Sequence, residues 1–433
     1  MFGNSNCLQM TTGRVHAHSL AGLRRPIKLL CTLAAGVCLS MPTFAQPETY
    51  PFNFAYLSTD NGLPHNYCHT ALRDSRGFLW FGTQDGLARY DGVGFKTYAY
   101  RGDSSGLSAP TVLDIDEDRR GFLWVATIGG GLNRFDPITG TFSWYQNDPG
   151  DPASLPGNDL TSLLIDPEGV IWVGGLSAGL SRLDPASGRF TTYALAQSLM
   201  TGADRLQRNS VKDIAADSEN PAILWLAANN GIFRFDKRNG QLQHYPAETP
   251  CRDVQADTPG TVWVATDGGG IARFDKKNGQ WKYFPPLPGE WARRNPSTNL
   301  IGDISWKSDR EFWVASLDQG FGIFDINTGK YTFFNSQAKL LAGQTGQSVN
   351  GLYRDPSGLL WVFNYKNGIS LLDPANNVLD YTPLPGDGCQ NPKLNEPLDF
   401  AWNEARKELY VVSEGCRGLY VLEPVVRVAP VQL

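Results

Sequence analysis

The chain has 433 residues, 12% of them aromatic and 19% charged, with 46 glycines, 28 prolines and a formal net charge of −5. An acidic balance of this kind argues against a partner bound by phosphate neutralisation, so nucleic acid is not expected. No long amphipathic helical pattern follows residue 50, and turn residues interrupt short apolar stretches throughout, which points to an all-β chain.

The first 45 residues hold Arg14, Arg24, Arg25 and Lys28 with no acid, then an apolar run over 29–39, then small residues leading to Ala45. A run this short cannot span a bilayer, which needs about 20 residues, and the layout is that of a secretory signal peptide. Cleavage after Ala45 is expected. That leaves 46–433 as a single propeller domain, periplasmic or secreted, with no membrane insertion and a formal charge of −9. Four cysteines follow the leader, Cys68, Cys251, Cys389 and Cys416. Cys389 enters the last repeat and Cys416 lies in a turn of it on the same side, so a Cys389–Cys416 disulfide is expected, with four free thiols as the alternative. Their spacing makes no zinc motif, and neither metal nor cofactor is expected.

From about residue 51 to 424 one unit recurs: a turn, a short strand centred on an aromatic, a second turn and another strand. The aromatic falls at Trp80, Trp124, Trp172, Trp225, Trp263, Trp313, Trp361 and, degraded, Tyr410, with neighbours 38 to 53 residues apart. That period is in the range of four-stranded propeller blades. Residues 112–145 illustrate the unit, with alternating apolar residues over four strands bounded by Asp, Gly and Pro turns.

An Asp-x-x-Gly-x-x-Trp element recurs at Asp74/Gly77/Trp80, Asp118/Gly121/Trp124, Asp166/Gly169/Trp172, Asp257/Gly260/Trp263 and Asp355/Gly358/Trp361. The Asp can bond the amides of its own turn, the Gly can take a positive φ, and the Trp supplies an apolar face between blades. A residue every blade needs recurs, whereas a ligand contact does not, so the element reads as structural rather than as a metal-binding series.

These residues resemble the two-component regulator propeller repeats of the periplasmic sensor regions of bacterial hybrid histidine kinases. The likeness runs over the whole mature chain. It is closest in the first copy, Arg76-Gly-Phe-Leu-Trp-Phe-Gly-Thr-Gln-Asp-Gly-Leu-Ala-Arg-Tyr-Asp-Gly92, and in the opening Phe54-Ala-Tyr-Leu-Ser-Thr-Asp-Asn-Gly-Leu-Pro64. The resemblance implies sensing. The sequence shows no immunoglobulin-like module, transmembrane helix, kinase or receiver domain, so no kinase output of its own is expected.

Residues 52–57 look like an outer strand with no blade before it, and 398–422 look like three inner strands after which the chain nearly stops. Pairing the two closes a ring of eight four-stranded antiparallel blades, the expected fold; the alternative is seven blades plus a partial second ring. Length variation concentrates in the connections between blades, which emerge on one face with the second-to-third strand turns, and that face is where binding is expected. Asn66, Asn158, Asn209, Asn299 and Asn350 recur near inner strands and read as loop hydrogen bonding. The residues that break the repeat there, His65, Tyr67, Asn229, Asn230, Asp267, Trp291, Arg293, Asp318, Gln319, Tyr365 and Lys366, are the candidate ligand contacts. Aromatics beside amides and carboxylates can stack on a sugar ring and meet its hydroxyls. The expected function is therefore a non-catalytic exported sensor of an oligosaccharide or another small extracellular ligand. A scaffold docking a membrane sensor protein is the alternative. A propeller lyase or hydrolase comes third, because no Ser-His-Asp or metal-ligand spacing is evident around His65, His69 and His244.

Overall fold

The computed structural model describes residues 54–103, 105–195, 209–289, 298–334, 348–374, 397–403, 408–413 and 418–422. All lie within one compact unit, Thr49–Leu433. They form seven four-stranded antiparallel sheets and one of three strands.

The second blade shows how sequence makes a sheet. Val112–Glu117 is innermost, followed outward by Leu123–Thr127, Gly131–Asp136 and Thr141–Tyr145. The Leu123–Thr127 strand is buried along its whole length because sheets cover both of its faces, while Thr141–Tyr145 alternates and borders solvent. Gly131 opens the third strand at φ 74°, and a β-carbon there would stand 2.3 Å from the Tyr145 carbonyl oxygen, so only glycine lets the outer strand end so close.

The Asp-x-x-Gly-x-x-Trp element does more than close a hairpin. In the first blade Asp74 Oδ1 accepts the amides of Arg76 at 3.1 Å and Phe78 at 2.9 Å, while Oδ2 accepts the Trp80 indole N–H at 2.9 Å. The same indole bond recurs from Trp124 to Asp118 at 3.1 Å, Trp172 to Asp166 at 2.9 Å and Trp361 to Asp355 at 3.3 Å. The turn thus satisfies the one polar atom of a ring that is otherwise buried. Each ring then packs on the next blade: Trp80 on Phe135, Trp172 on Phe235, Trp225 on Phe274 and Trp361 on Phe81, at centroid distances of 5.6, 5.3, 5.7 and 5.3 Å, respectively. Truncating any of them to Ala costs about 3–5 kcal/mol by the usual scale for buried aromatics.

The ring closes at seven blades, not the eight expected from the repeat count. Phe54–Leu57 pairs with Gly368–Leu372, from Phe54↔Leu372 to Leu57↔Ile369, and so becomes the outer strand of the blade built on Val349–Arg354. A β-carbon on Gly368 would lie 2.4 Å from the Leu57 carbonyl oxygen, the relation Gly131 has to Tyr145, so Leu57 occupies the outer-strand terminus of the seventh blade. The seventh blade then packs directly on the first. Arg73 bonds Asp355 at 2.6 Å, its amide donates to the Tyr353 hydroxyl at 2.8 Å, and the Gly368 amide donates to the Asn66 carbonyl at 2.8 Å. The residues expected as an eighth blade form Pro397–Asn403, Glu408–Ser413 and Gly418–Leu422, a separate sheet that shares no strand with the other seven.

Cys68 and Cys251 are buried free thiols. Burial, with the Asp267 charge adding to it, pushes Cys251 up to about 12, and burial raises Cys68 as well, so both are unreactive. Cys389 and Cys416 lie outside the described residues.

A polar axial channel as the candidate binding site

The seven innermost strands carry the same irregularity. Between the first and third residue of each the register shifts, at Cys68/Thr70, Val112/Asp114, Leu160/Ser162, Val211/Asp213, Cys251/Asp253, Ile301/Asp303 and Val349/Gly351. A β-bulge of this kind leaves the second residue out of the ladder and re-aims its side chain. All seven of these second residues, His69, Leu113, Thr161, Lys212, Arg252, Gly302 and Asn350, line one cavity of about 320 Å³ on the propeller axis. One ring is thus built from one position per blade, and no two of its members are alike.

Beside it runs a ring of third residues with the opposite character. Asp recurs there four times, and each carboxylate accepts an inner-strand amide of the following blade. Asp114 takes Leu163 N at 2.8 Å, Asp213 takes Val254 N at 2.9 Å, Asp253 takes Ile304 N at 3.1 Å and Asp303 takes Leu352 N at 2.7 Å. These aspartates stitch blade to blade. Burial raises Asp114 to about 8 and Asp303 to about 7, and it also raises Asp253, whose neighbours Asp303 and Asp213 add like charge.

Above the ring stands an aromatic cluster. The Tyr67 ring lies 4.9 Å from Tyr365 in an edge-on arrangement and 4.4 Å from His69, and the Lys366 ammonium sits 5.1 Å from the Tyr365 centroid. His65 Nδ1 accepts the Tyr67 amide at 2.9 Å and fixes the loop that presents it. Lys366 holds φ 60°, a left-handed conformation uncommon for a lysine, in the turn after Leu360–Asn364. Tyr365 is 38% exposed. Two polar atoms at this end are buried without a hydrogen-bond partner, His69 Nε2 and Asn350 Oδ1. Burial, with His65 adding to it, lowers His69 to about 4, so its imidazole is neutral near pH 7.

The structure thus brings His65, Tyr67, Tyr365 and Lys366 together and ties Asp267 to the channel through its ion pair with Arg252. Asp318 instead braces its own loop, accepting the amides of Asn299 at 2.9 Å and Leu300 at 3.1 Å, and Gln319 donates to it at 3.3 Å. The Asn230 backbone carbonyl accepts the Ala247 amide within its own blade while its side-chain Oδ1 is buried without a partner, and Asn229 precedes it in the same turn. Trp291 and Arg293 lie outside the described residues. Reading the sequence by loop missed the channel ring of His69, Lys212, Arg252 and Asn350. Aligning the inner strands on their first apolar residue would have found it. The same alignment separates Asn350 from Asn66, Asn158, Asn209 and Asn299, which stand two residues before their inner strands, accept amides through both side chain and carbonyl, and link neighbouring blades.

The fold and this channel define a closed seven-bladed β-propeller with a polar axial cavity. Residues 62–85 and 154–177 match the family model described as two component regulator propeller. Among solved structures, it is similar to the extracellular domain of the hybrid two component system BT3049 from B. thetaiotaomicron (TM-score 0.64, 23% identity, 88% of this chain and 49% of that one). It is also similar to the extracellular domain of BT4673 from the same organism (TM-score 0.59, 16% identity, 83% of this chain and 44% of that one). A streptogramin B lyase shares the fold at TM-score 0.54 and 19% identity, covering 74% of this chain and 97% of that one. At these identities the likeness is one of fold, and the chain spans about half the length of the two extracellular domains. A search of curated protein sequences finds no match. Among the described residues no helix is long and apolar enough to cross a membrane, and no cluster of His, Cys, Asp and Glu could hold a metal ion.

Proposed function

We propose that this chain is an exported, non-catalytic sensor propeller that binds an extracellular saccharide at the mouth of its axial channel and serves two-component-type signalling. The observation that carries the reading is the Tyr67–Tyr365 pair standing over a polar ring with two unpartnered buried atoms, His69 Nε2 and Asn350 Oδ1. A sugar offers apolar C–H faces to an aromatic ring and hydroxyls that both donate and accept, the complement of such a surface. A preformed concave site with a few convergent polar groups is also the usual form of a small-ligand pocket. The secretory-signal layout of the sequence over 1–45 supports a location outside the cytoplasm, as does the similarity to extracellular domains of hybrid two component systems. Its signal then passes to a partner through contacts of the propeller rather than through chemistry on the ligand.

The test is calorimetric titration of residues 46–433 with a panel of plant, algal and host oligosaccharides, followed by Tyr67→Ala and Tyr365→Ala. Loss of one stacked ring should weaken the bound saccharide about tenfold, the equivalent of roughly 1.4 kcal/mol. Tyr365 is partly exposed, so its replacement should leave the melting temperature unchanged. Unaltered affinity in both variants would remove the site from the channel mouth, and a folded protein that binds no saccharide would turn the reading toward docking of a membrane partner.

A further inference from the structure

The bulge ring is not evenly charged. Lys212 and Arg252 are its two cations, on adjacent inner strands at the same bulge position, and both line the cavity. Arg252 Nε is committed to Asp267. The Lys212 side chain has no hydrogen bond and no ion pair among the described residues, and burial, with the Arg252 charge adding to it and Asp267 opposing, holds its ammonium below the usual lysine range. Two other lysines of this propeller show what a structural role looks like. Lys237 bridges Asp166 and Glu168 of the preceding blade at 2.8 and 2.7 Å, and Lys276 bridges Asp217 and Glu219 at 2.8 and 3.2 Å. Lys212 links nothing.

A partly desolvated ammonium without a counter-ion costs free energy and returns none to the fold. None of the nearby carboxylates forms an ion pair with Lys212: Asp213, Asp253 and Asp303 accept the amides of Val254, Ile304 and Leu352, and Asp267 is paired with Arg252. Burial also raises Asp253 and Asp303, which weakens the negative charge they set against the two cations. Across the mouth stand Tyr67 and His69, close enough that the Arg252 guanidinium bears on the Tyr67 hydroxyl. One ring-sized ligand can therefore touch both walls.

We propose that the ligand of this channel is an acidic saccharide, whose anionic group is held by Lys212 and Arg252 while its hydroxyls meet His69 Nε2 and Asn350 Oδ1 and its ring lies against Tyr67. The proposal rests on the saccharide reading above and adds the charge. A carboxylate of a uronic acid and a sulfate ester present the same chemistry to an ammonium beside a guanidinium.

The experiment titrates residues 46–433 with matched sets of oligosaccharides: uronates, the same chains with their carboxyls reduced to alcohols, and sulfated chains with their desulfated counterparts. An acidic member should bind at least tenfold more tightly than its neutral match, and added salt should narrow the gap. Which acidic set shows the gap identifies the anion as carboxylate or sulfate. Lys212→Met should abolish the preference without lowering the melting temperature, since no native contact of the ammonium is lost, and Lys212→Gln repeats the test with a polar side chain. Equal binding of acidic and neutral chains would overturn the charge assignment and leave the saccharide reading standing. Failure of every saccharide to bind the folded protein would overturn both. A preference that survives both Lys212 variants would overturn the role given to this residue.

Discussion

Asp257 accepts the indole N–H of Trp306 at 2.8 Å, and Trp263, the tryptophan that its turn motif supplies, is left with a buried indole N–H that has no partner. In four other blades the matching Asp serves its own Trp. Trp306 comes from the inner strand Ile301–Ser308 of the following blade and packs on Phe312 with ring centroids 3.8 Å apart, so a neighbour has captured the acceptor. Trp172 and Trp263 are equally buried, each 2% exposed. Trp172→Phe should therefore cost about 1–2 kcal/mol more than Trp263→Phe, the worth of one hydrogen bond to a charged acceptor. Urea unfolding of the two variants measures the difference, and equal costs would mean that the indole bonds contribute nothing to stability.

The stitching aspartates predict how stability follows pH. Folding raises Asp114 to about 8 and Asp303 to about 7, and raises Asp253, so in the window above the ordinary Asp value of about 3.9 the folded state binds more protons than the unfolded one. Their contribution is full at low pH and is lost as pH climbs through the folded values. His69, lowered to about 4, works in the opposite sense: the unfolded state takes up its proton first, so stability falls as pH drops from about 6.5 toward 4. The melting temperature should thus decline between about pH 6 and pH 8, and Asp303→Asn, which keeps an acceptor for the Leu352 amide, should flatten that decline. A melting temperature that rises over the same window would contradict the burial of these carboxyls.

On the other side of the sheet, Lys276 reaches from its turn to Asp217 and Glu219 of the preceding blade. Asp217 is held below the usual carboxylate range, its burial outweighed by bonds from Lys276 and Trp225. Stability from this contact is present above the unfolded value and disappears as pH falls through the folded one. Lys276→Met should cost about 2 kcal/mol at neutral pH, between a surface pair and a fully buried one, and progressively less in acid. Chemical unfolding at several pH values checks both the size and its disappearance. A cost that is constant with pH would assign the loss to packing of the lysine stem instead.

Much of the blade was legible in the sequence because its residues obey local rules. Gly131 must permit a close carbonyl, Asp74 must accept amides within its own turn, and Trp80 must fill the space between sheets, so each leaves a periodic mark. The channel was not legible in the same way. Lys212, Arg252, His69 and Asn350 share a bulge position but no residue type, and their common role exists only once seven strands converge on one axis. Tyr67 and Tyr365 were visible as departures from the repeat, yet they are almost 300 residues apart in sequence and meet only because the first and seventh blades are neighbours. The number of blades was misread for a related reason. A repeat count records how many units a chain encodes, while closure depends on which strand takes the vacant edge.

That edge gives the sharpest test of the architecture. Phe54–Leu57 supplies the outer strand of the seventh blade, and without it Gly368–Leu372 would present an unpaired row of amides and carbonyls. A chain beginning at Ser58 should melt well below one beginning at Gln46, and the exposed edge should drive self-association visible by light scattering. A synthetic peptide covering 50–58 should restore part of the loss, because the missing strand forms backbone bonds that do not require covalent continuity. Ending the chain at residue 396 should have little effect on the ring, since all seven four-stranded sheets keep every strand. A ring of eight predicts the reverse order, with removal of 397–422 opening the closure, so the two truncations measured side by side by thermal unfolding decide between the architectures. A Ser58 start that melts like the longer chain and stays monomeric would refute closure through Leu57.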